Sequence, residues 1–536
     1  MFLNSNKSLV FPINALPACR LVAEGIDTLS HSFEIKQKAV HKYYRLVDAD
    51  ILFCFSDIVI QAEAMGARVR FAPDAMPAIE HPASTILHPR AQQVKRMAVN
   101  AGVIQSLARE FPQKTIAGMV YGPFTVAGQL AGEQNVMKGL RENKRQVLEL
   151  IEHCFDFALD YGSFLFDSGA NLLWVSDPLA SLLSPIDFER FVQGFLSRLF
   201  KAFPKNSTAL HICGDTTQLV NAMVQTGVSG ISFDQCMNLT TIEDMIPEQV
   251  EIIGNADPDR GVATATFPEI DTMVFDLASQ MGTLPNFSLS TGCALPFSTP
   301  IENVTRFVDV AKNQLEKIQK EKVLLKSLGQ AVFSGNQDET TRFTQMLLLK
   351  KVDLQIIIDA ALMRAVRKGS ALYESGRFYL PDLLLLTDSF YCGFEIVRDG
   401  LLATNRSPQV ILGVVKGDFH EIGKDIVKAM LEANGIHVID LGVDVTAEAF
   451  ISCARKHKVS ILGLSAFTTS SRKELKKIVG LVKTQDSPIT AVLAGGAALS
   501  ESTAQKLGID GYAKDAVSAV ALVKHFLIKK MKPHVI

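Results

Sequence analysis

Two short stretches of the chain gather residues able to hold a transition metal. The first is Leu210-His211-Ile212-Cys213-Gly214, with a distant counterpart in Thr291-Gly292-Cys293-Ala294. In an extended strand residues i and i+2 project to the same side, so His211 and Cys213 can share one ion. A fold that brings in Cys293 completes a set of one imidazole and two thiolates. That set suits Zn2+, and three protein ligands leave open the position that a catalytic metal needs. A zinc-bound thiol is deprotonated near neutral pH and becomes a nucleophile that accepts alkyl groups. The same spacing also fits two buried cysteines and a core histidine, since free cysteine is commonly buried. Asp234, which ends a later apolar run, is a candidate fourth ligand.

The second stretch is Gly417-Asp418-Phe419-His420-Glu421-Ile422-Gly423, directly after an apolar run that ends at Val415. A histidine on a strand-to-helix loop can bind a metal through one ring nitrogen while a carboxylate two residues earlier holds the other and raises its basicity. Gly423 lets a bulky ligand approach the backbone, and Gly495-Gly496 opens a second narrow slot on the same sheet edge. Taken alone, these residues also fit a surface-loop histidine flanked by turn glycines.

Residues so far apart need a frame that converges. From Leu9 to about Cys293 short β-rich runs alternate with helical stretches. Candidate strands are Leu9–Asn14, Val47–Phe55, Thr115–Tyr121, Leu172–Val175, Ala209–Cys213, Gly230–Asp234, Glu251–Asn255 and Phe287–Thr291. This is the rhythm of an α/β protein with a (β/α)8 TIM barrel, whose chemistry lies on the loops past the C-terminal strand ends. A charged stretch, Lys312 to Lys322, reads as the junction and hinge. A helical block follows to about Asn405, with Leu354, Ile357, Ile358, Ala361, Leu362 and Ala365 on one buried helix face. Asn336 with Glu339 reads as a helix cap, and Pro381 as a helix start. Four short helices fit the block. The βα rhythm then resumes in Gln409–Val415, His437–Leu441, Ile461–Ser465, Thr490–Leu493 and Gly511–Ala513, a Rossmann-like doubly wound sheet. The expected domains are 1–315, 316–405 and 406–536.

A chain of 536 residues exceeds what one core supports, and 54 basic against 56 acidic residues give no field favouring nucleic acid or anionic lipid. No uninterrupted apolar run is long enough for a membrane span. Leu16-Pro17-Ala18-Cys19 superficially resembles a lipoprotein box, but Pro12 and Asn14 precede it, so export is not expected. Eight scattered cysteines suit reduced thiols of a cytoplasmic protein.

The second stretch resembles the cobalamin-binding domain shared by methionine synthase and methanogenic corrinoid proteins, whose signature is Asp-x-His-x-x-Gly, Ser-x-Leu and Gly-Gly. Here the elements are Asp418, His420 and Gly423, then Ser465-Ala466-Phe467, then Gly495 and Gly496. Phe467 departs from the usual leucine, and altered packing near the nucleotide tail is expected. The resemblance implies that His420 is the lower axial ligand of cobalt, that Asp418 with Ser471 modulates its proton, and that the helical block is a four-helix cap over the corrin. Residues 1 to about 315 resemble the uroporphyrinogen decarboxylase superfamily, in its methylcobamide:coenzyme M methyltransferase branch. That branch carries His-x-Cys and a later Gly-Cys as zinc ligands, matched by His211, Cys213 and Cys293. Ser56-Asp57 with Glu63, Gly122-Pro123-Phe124, Asp177-Pro178 and Thr299-Pro300 also look family-like, although such residues are ordinary in strand-to-helix loops. Of these, Asp177 is taken as a catalytic candidate.

The order barrel, helical cap, corrinoid domain is similar to the fused chloromethane methyltransferase/corrinoid proteins. It implies a corrinoid, passing through the methylcobalamin state, and Zn2+ as cofactors. The substrate would be a small methylated compound, and the acceptor a thiol such as coenzyme M or a tetrahydrofolate-linked one reached through a second methyltransferase. Transfer in either direction fits. A reductive activation protein is expected because Co(I) oxidises readily. The rival readings are an adenosylcobalamin-dependent mutase, which needs neither zinc nor a helical cap, and a non-catalytic corrinoid carrier.

Overall fold

The computed structural model describes residues 8–22, 24–72, 75–402, 409–433, 436–468, 471–484 and 488–531. By internal contacts the chain divides into two compact units, one ending at Lys320 and the other beginning at Glu321.

The first unit is a parallel barrel. Its strands are β1 (Val10–Ile13) and β2 (Ile51–Phe53), then, after an antiparallel hairpin of β3 (Arg68–Ala72) and β4 (Ala75–His81), β5 (Thr115–Tyr121), β6 (Leu172–Ser176), β7 (Thr208–Ile212), β8 (Gly230–Phe233), β9 (Glu251–Ala256) and β10 (Phe287–Ala294). The eight barrel strands run in the order β1-β10-β9-β8-β7-β6-β5-β2. At the remaining gap between β1 and β2 the Asp50 N–H donates to the Val10 carbonyl at 2.9 Å, and the Val10 N–H donates to the Asp50 carboxylate at 2.8 Å. Each predicted barrel strand contains or overlaps an observed one. The β3–β4 hairpin was not foreseen, because Pro77 and charged Arg68, Arg70 and Glu80 interrupt the apolar pattern of an exposed two-stranded ribbon.

The barrel interior is filled by side chains. Trp174, the only tryptophan, is fully buried and meets the Phe53 ring edge-on at 5.2 Å and the Phe11 ring at 6.1 Å. Branched and aromatic side chains from alternate strands fill such a barrel, so its chemistry is left to the strand ends.

The stretch Lys312 to Lys322, read as junction and hinge, contains the boundary between the two units, and its backbone is helical, within Ile301–Phe333. Leu315, Ile318, Leu325 and Leu328 form a buried stripe along that helix, while Glu316 and Lys320 pair at 2.9 Å on its exposed face. The charges concealed an amphipathic period of about 3.6 residues.

The second unit begins with the last turns of that helix and continues through helices Gln337–Leu349, Leu354–Glu374 and Leu380–Leu402, the second containing a π-helical turn at Ile358–Leu362. Asn336 caps the first of these by accepting from the Glu339 N–H at 3.1 Å. Ile357, Ile358, Ala361, Leu362 and Ala365 are buried. The chain then forms β11 (Val410–Val414), β12 (Val438–Asp440), β13 (Ile461–Ser465), β14 (Ala491–Gly495) and β15 (Gly511–Ala513). They make a parallel sheet ordered β12-β11-β13-β14-β15. This doubly wound order has its switch point between β11 and β13, where such sheets place ligands.

Candidate functional site

On the barrel, β7 carries His211 and is followed by Cys213, and β10 carries Cys293 near its C-terminal end. The His211 Nε2 lies 3.2 Å from Cys213 Sγ, and the two sulfurs are 3.9 Å apart. One donor atom from each of the three residues lies within 4.8 Å of the others, the only such histidine, cysteine and carboxylate group of three or more among the described residues. His211 is buried and both cysteines are half-buried, so the group faces the barrel mouth. Gly292 makes this possible: a Cβ there would stand 2.3 Å from the Gln235 backbone nitrogen, so only glycine lets β10 approach the loop after β8.

The contact with Cys213, helped by His211, holds the Cys293 thiol well below its ordinary range, while the same contact and burial push Cys213 up. One imidazole and two sulfurs converging on a partly open point match the donor chemistry of Zn2+. On the far side of the imidazole, Nδ1 is 3.1 Å from Ser232 Oγ, a fully buried hydroxyl on β8. With Nε2 turned toward the sulfurs, Nδ1 is the nitrogen that can donate to this hydroxyl, the arrangement metal-bound imidazoles favour. Sequence reading missed Ser232; its signal is its alignment with His211 across the β7–β8 ladder, invisible without the register.

Asp234 stands apart from the donor group. Its Oδ2 accepts from the Gly214 N–H at 2.9 Å and its Oδ1 from the Cys236 N–H at 3.1 Å, so it ties together the loops after β7 and β8. Asp177, the catalytic candidate, is fully buried. Its Oδ1 accepts from the Thr125 N–H at 2.8 Å and hydroxyl at 2.5 Å, closing the N-terminus of helix Pro123–Ala131, and its own N–H donates to the His211 carbonyl at 2.9 Å. Burial pushes its carboxyl up to about 6 against those bonds. Asp57 and Glu63 are likewise committed, both pairing with the buried Arg96 guanidinium. Lys36, also buried, donates to Asn100 at 2.5 Å. Arg96 and Lys36 were missed, although Lys36 sits in register with buried Ala39, Val40 and Tyr43 on a helix face. Thr299 makes a local turn, its hydroxyl donating to the Pro296 carbonyl at 2.7 Å.

In the second unit, His420 lies on the loop after β11. Its Nδ1 is 2.8 Å from Asp418 Oδ1, leaving Nε2 free, and its side chain is 56% exposed. Asp418 is buried, and its Oδ2 accepts from the Phe467 N–H at 2.6 Å, the Thr468 N–H at 3.0 Å and the Ser471 hydroxyl at 3.1 Å. Burial alone would raise the carboxyl, but these donors, the Thr468 N–H foremost, hold it well below the usual carboxylate range.

Beside this loop a cavity of about 310 Å3 is lined by Gly423, Lys424, Ser465, Gly495 and Gly496 on its polar side and by Leu412, Val427, Leu464 and Leu493 on its apolar side, with Tyr373 and Leu383 from the preceding helices. A Cβ built on Gly423 meets no atom within 4 Å, so the glycine leaves space that the protein itself does not use. An exposed imidazole, a fixed carboxylate behind it and an adjoining apolar slot fit a corrinoid. Phe467 is not in the cavity wall. Its ring stacks on His420 at 4.3 Å, with 24° between the planes.

The uroporphyrinogen decarboxylase (URO-D) family profile matches residues 20–314. Two B12 binding domain profiles match residues 324–398 and 408–521. A corrinoid protein of Desulfitobacterium hafniense (strain Y51) is 31% identical over 212 residues, spanning 38% of this chain and 98% of that protein. Dimethylamine corrinoid protein 1 of Methanosarcina mazei is 29% identical over 211 residues, spanning 39% of this chain and 97% of its own length. Among solved structures, a methyltransferase from Methanosarcina mazei superposes with a TM-score of 0.53 at 20% identity, covering 58% of this chain and 94% of that one, a likeness of fold.

Proposed function

Because the chain belongs to the uroporphyrinogen decarboxylase family and fuses that domain to corrinoid-binding domains, a corrinoid-dependent methyltransferase by architecture, we propose that it moves a methyl group between a small methylated compound or thiol at a barrel zinc site and its own corrinoid. The observation that carries this reading is the convergence of His211, Cys213 and Cys293 at the barrel mouth, in a chain that also presents the Asp418–His420 pair. His211 Nε2 and the two sulfurs would hold the zinc, and His420 Nε2 would be the lower ligand of cobalt. When bound, zinc supplies a Lewis acid for a thiol sulfur and the corrinoid supplies a cobalt that takes up and releases methyl groups.

The remaining work falls to the protein's own residues. Ser232 would accept the Nδ1 proton of a zinc-bound His211. Asp234 and Asp177 are positioning residues: the first joins the two loops beside Cys213, and the second joins the N-terminus of helix Pro123–Ala131 to the β7 backbone through its own N–H. Asp418 holds the His420 Nδ1 proton, and Gly423, Ser465, Gly495 and Gly496 shape the slot beside it. The helices of residues 337–402 form the cap. Halomethanes and methylated thiols suit the small-substrate side, and a thiol of the coenzyme M type or a tetrahydrofolate-linked acceptor suits the other. The second of these acceptors calls for a separate methyltransferase, and a reductant protein would restore oxidised cobalt. No described helix is long and apolar enough to cross a membrane.

The test is anaerobic reconstitution with a corrinoid and zinc, followed by addition of methyl halides, methyl thiols and methylamines one at a time while the cobalt absorbance is recorded. The reading predicts one zinc per chain, lost in Cys293→Ala, and spectral turnover with one of the first two classes. A barrel that binds no zinc, or Cys293→Ala turning over at the wild-type rate, refutes it.

A further inference from the structure

His420 is held from two directions, by Asp418 at one ring nitrogen and by Phe467 on the ring face. Its Nδ1 is anchored to Asp418 Oδ1, and a single hydrogen bond fixes that edge while leaving the ring free to swing about the N–H···O axis. With its side chain 56% exposed, packing from the loop itself does little to stop such a swing. The Phe467 ring lies flat against the imidazole face, centroids 4.3 Å apart and planes 24° from parallel, and blocks it. The backbone of the same residue donates from its N–H to Asp418 Oδ2 at 2.6 Å. Phe467 thus grips the carboxylate with its main chain and the imidazole with its side chain. Its ring is itself 52% exposed and takes no part in the adjoining cavity. The contact its ring makes is with the imidazole face.

We propose that Phe467 is a positioning residue that sets the plane of the His420 imidazole and so presents Nε2 to cobalt in one orientation. The proposal rests on the reading of His420 as the cobalt ligand. A leucine at this place would touch the ring without offering a flat face. Offset-stacked pairs and the ordering of one mobile side chain each correspond to about threefold to tenfold in an equilibrium.

The test uses the full-length protein grown with 15N-histidine and loaded with cob(II)alamin, read by electron paramagnetic resonance. A 15N lower ligand splits the cobalt lines into doublets, whereas the cofactor's own 14N base gives triplets. Wild-type protein showing triplets, or doublets that survive in His420→Ala, overturns the ligand reading itself. With that reading upheld, Phe467→Ala and Phe467→Leu are expected to lower the ratio of histidine-bound to histidine-free cobalt by about threefold to tenfold. Phe467→Tyr should restore it, with corrinoid retention equal in all three. Should the alanine variant not fold, the leucine and tyrosine variants decide. A leucine variant matching wild type, or a tyrosine variant as defective as the leucine one, overturns the positioning role.

Discussion

The barrel cluster and the loop after β11 each hold a histidine at a proposed metal site, yet they fix it by different means. His211 is set by the β-ladder: its carbonyl accepts from the Asp177 N–H, its Nδ1 meets Ser232 on the next strand, and its partner Cys213 follows two residues later on the same face. His420 is set by a carboxylate that three donors of a separate loop hold in place. A strand preorganises a ligand through backbone bonds that serve the fold anyway, whereas a loop needs side-chain bonds dedicated to the purpose. The barrel site should therefore resist loss of a neighbour and fail on loss of a ligand, while the loop site should be sensitive to both.

The largest effect tests the ligand side of that contrast. Cys293→Ala should empty the barrel of zinc and reduce methyl turnover roughly a thousandfold, the scale of several kcal/mol of Lewis-acid stabilisation. Its fold should persist, because Cys293 is half-buried at a strand end. Metal analysis and a stopped-flow absorbance assay read both quantities. Next comes Asp418→Ala, which frees the His420 ring and strands the Phe467 and Thr468 N–H groups. Corrinoid affinity should drop about 10- to 100-fold, measured by absorbance titration. A drop no larger than that of a surface control would erase the distinction between the regions.

The barrel's rigidity has its own pH dependence. Glu251, buried at the start of β9 with the Ser288 hydroxyl as partner, is pushed up to about 7 by burial. Its folded value exceeds its unfolded one, so its contribution to stability is complete below about pH 4.5 and fades as pH rises through about 7. Denaturation followed by Trp174 fluorescence reports the barrel by itself, since this is the only tryptophan. Wild type should lose about 2–3 kcal/mol relative to Glu251→Gln between pH 5 and pH 8.5. Equal slopes for the two proteins would remove Glu251 as the cause. The smallest effect belongs to Ser232→Ala. Losing one neutral hydrogen bond on a strand-fixed ligand should weaken zinc binding about tenfold in chelator competition, at the low end for outer-shell partners and below the Asp418 effect. A Ser232 loss larger than the Asp418 loss would invert the comparison.

What the sequence disclosed follows the same division. Strand cores of branched and aromatic residues made the barrel and sheet strands legible, because burial on both faces demands an unbroken apolar run. His211 with Cys213, and Asp418 with His420, were legible because each pair is two residues apart and its geometry is local. Cys293 needed the barrel to bring it near. Asp177, Asp57 and Glu63 could be placed at strand ends but not assigned a partner, since Thr125 and Arg96 come from elements distant in sequence. The junction at Lys312 to Lys322 was legible but its helical continuity was not, because within that stretch the charged residues outnumber the buried Leu315 and Ile318.

Two glycines carry opposite obligations. Gly292 is demanded by the polypeptide, as any side chain there would strike the Gln235 backbone, whereas Gly423 faces a vacancy the polypeptide never fills. A modest side chain at the latter should be invisible to folding and ruinous to loading. It would yield an intact shell permanently locked out of its pigment, against which every colour change in the native enzyme can be judged.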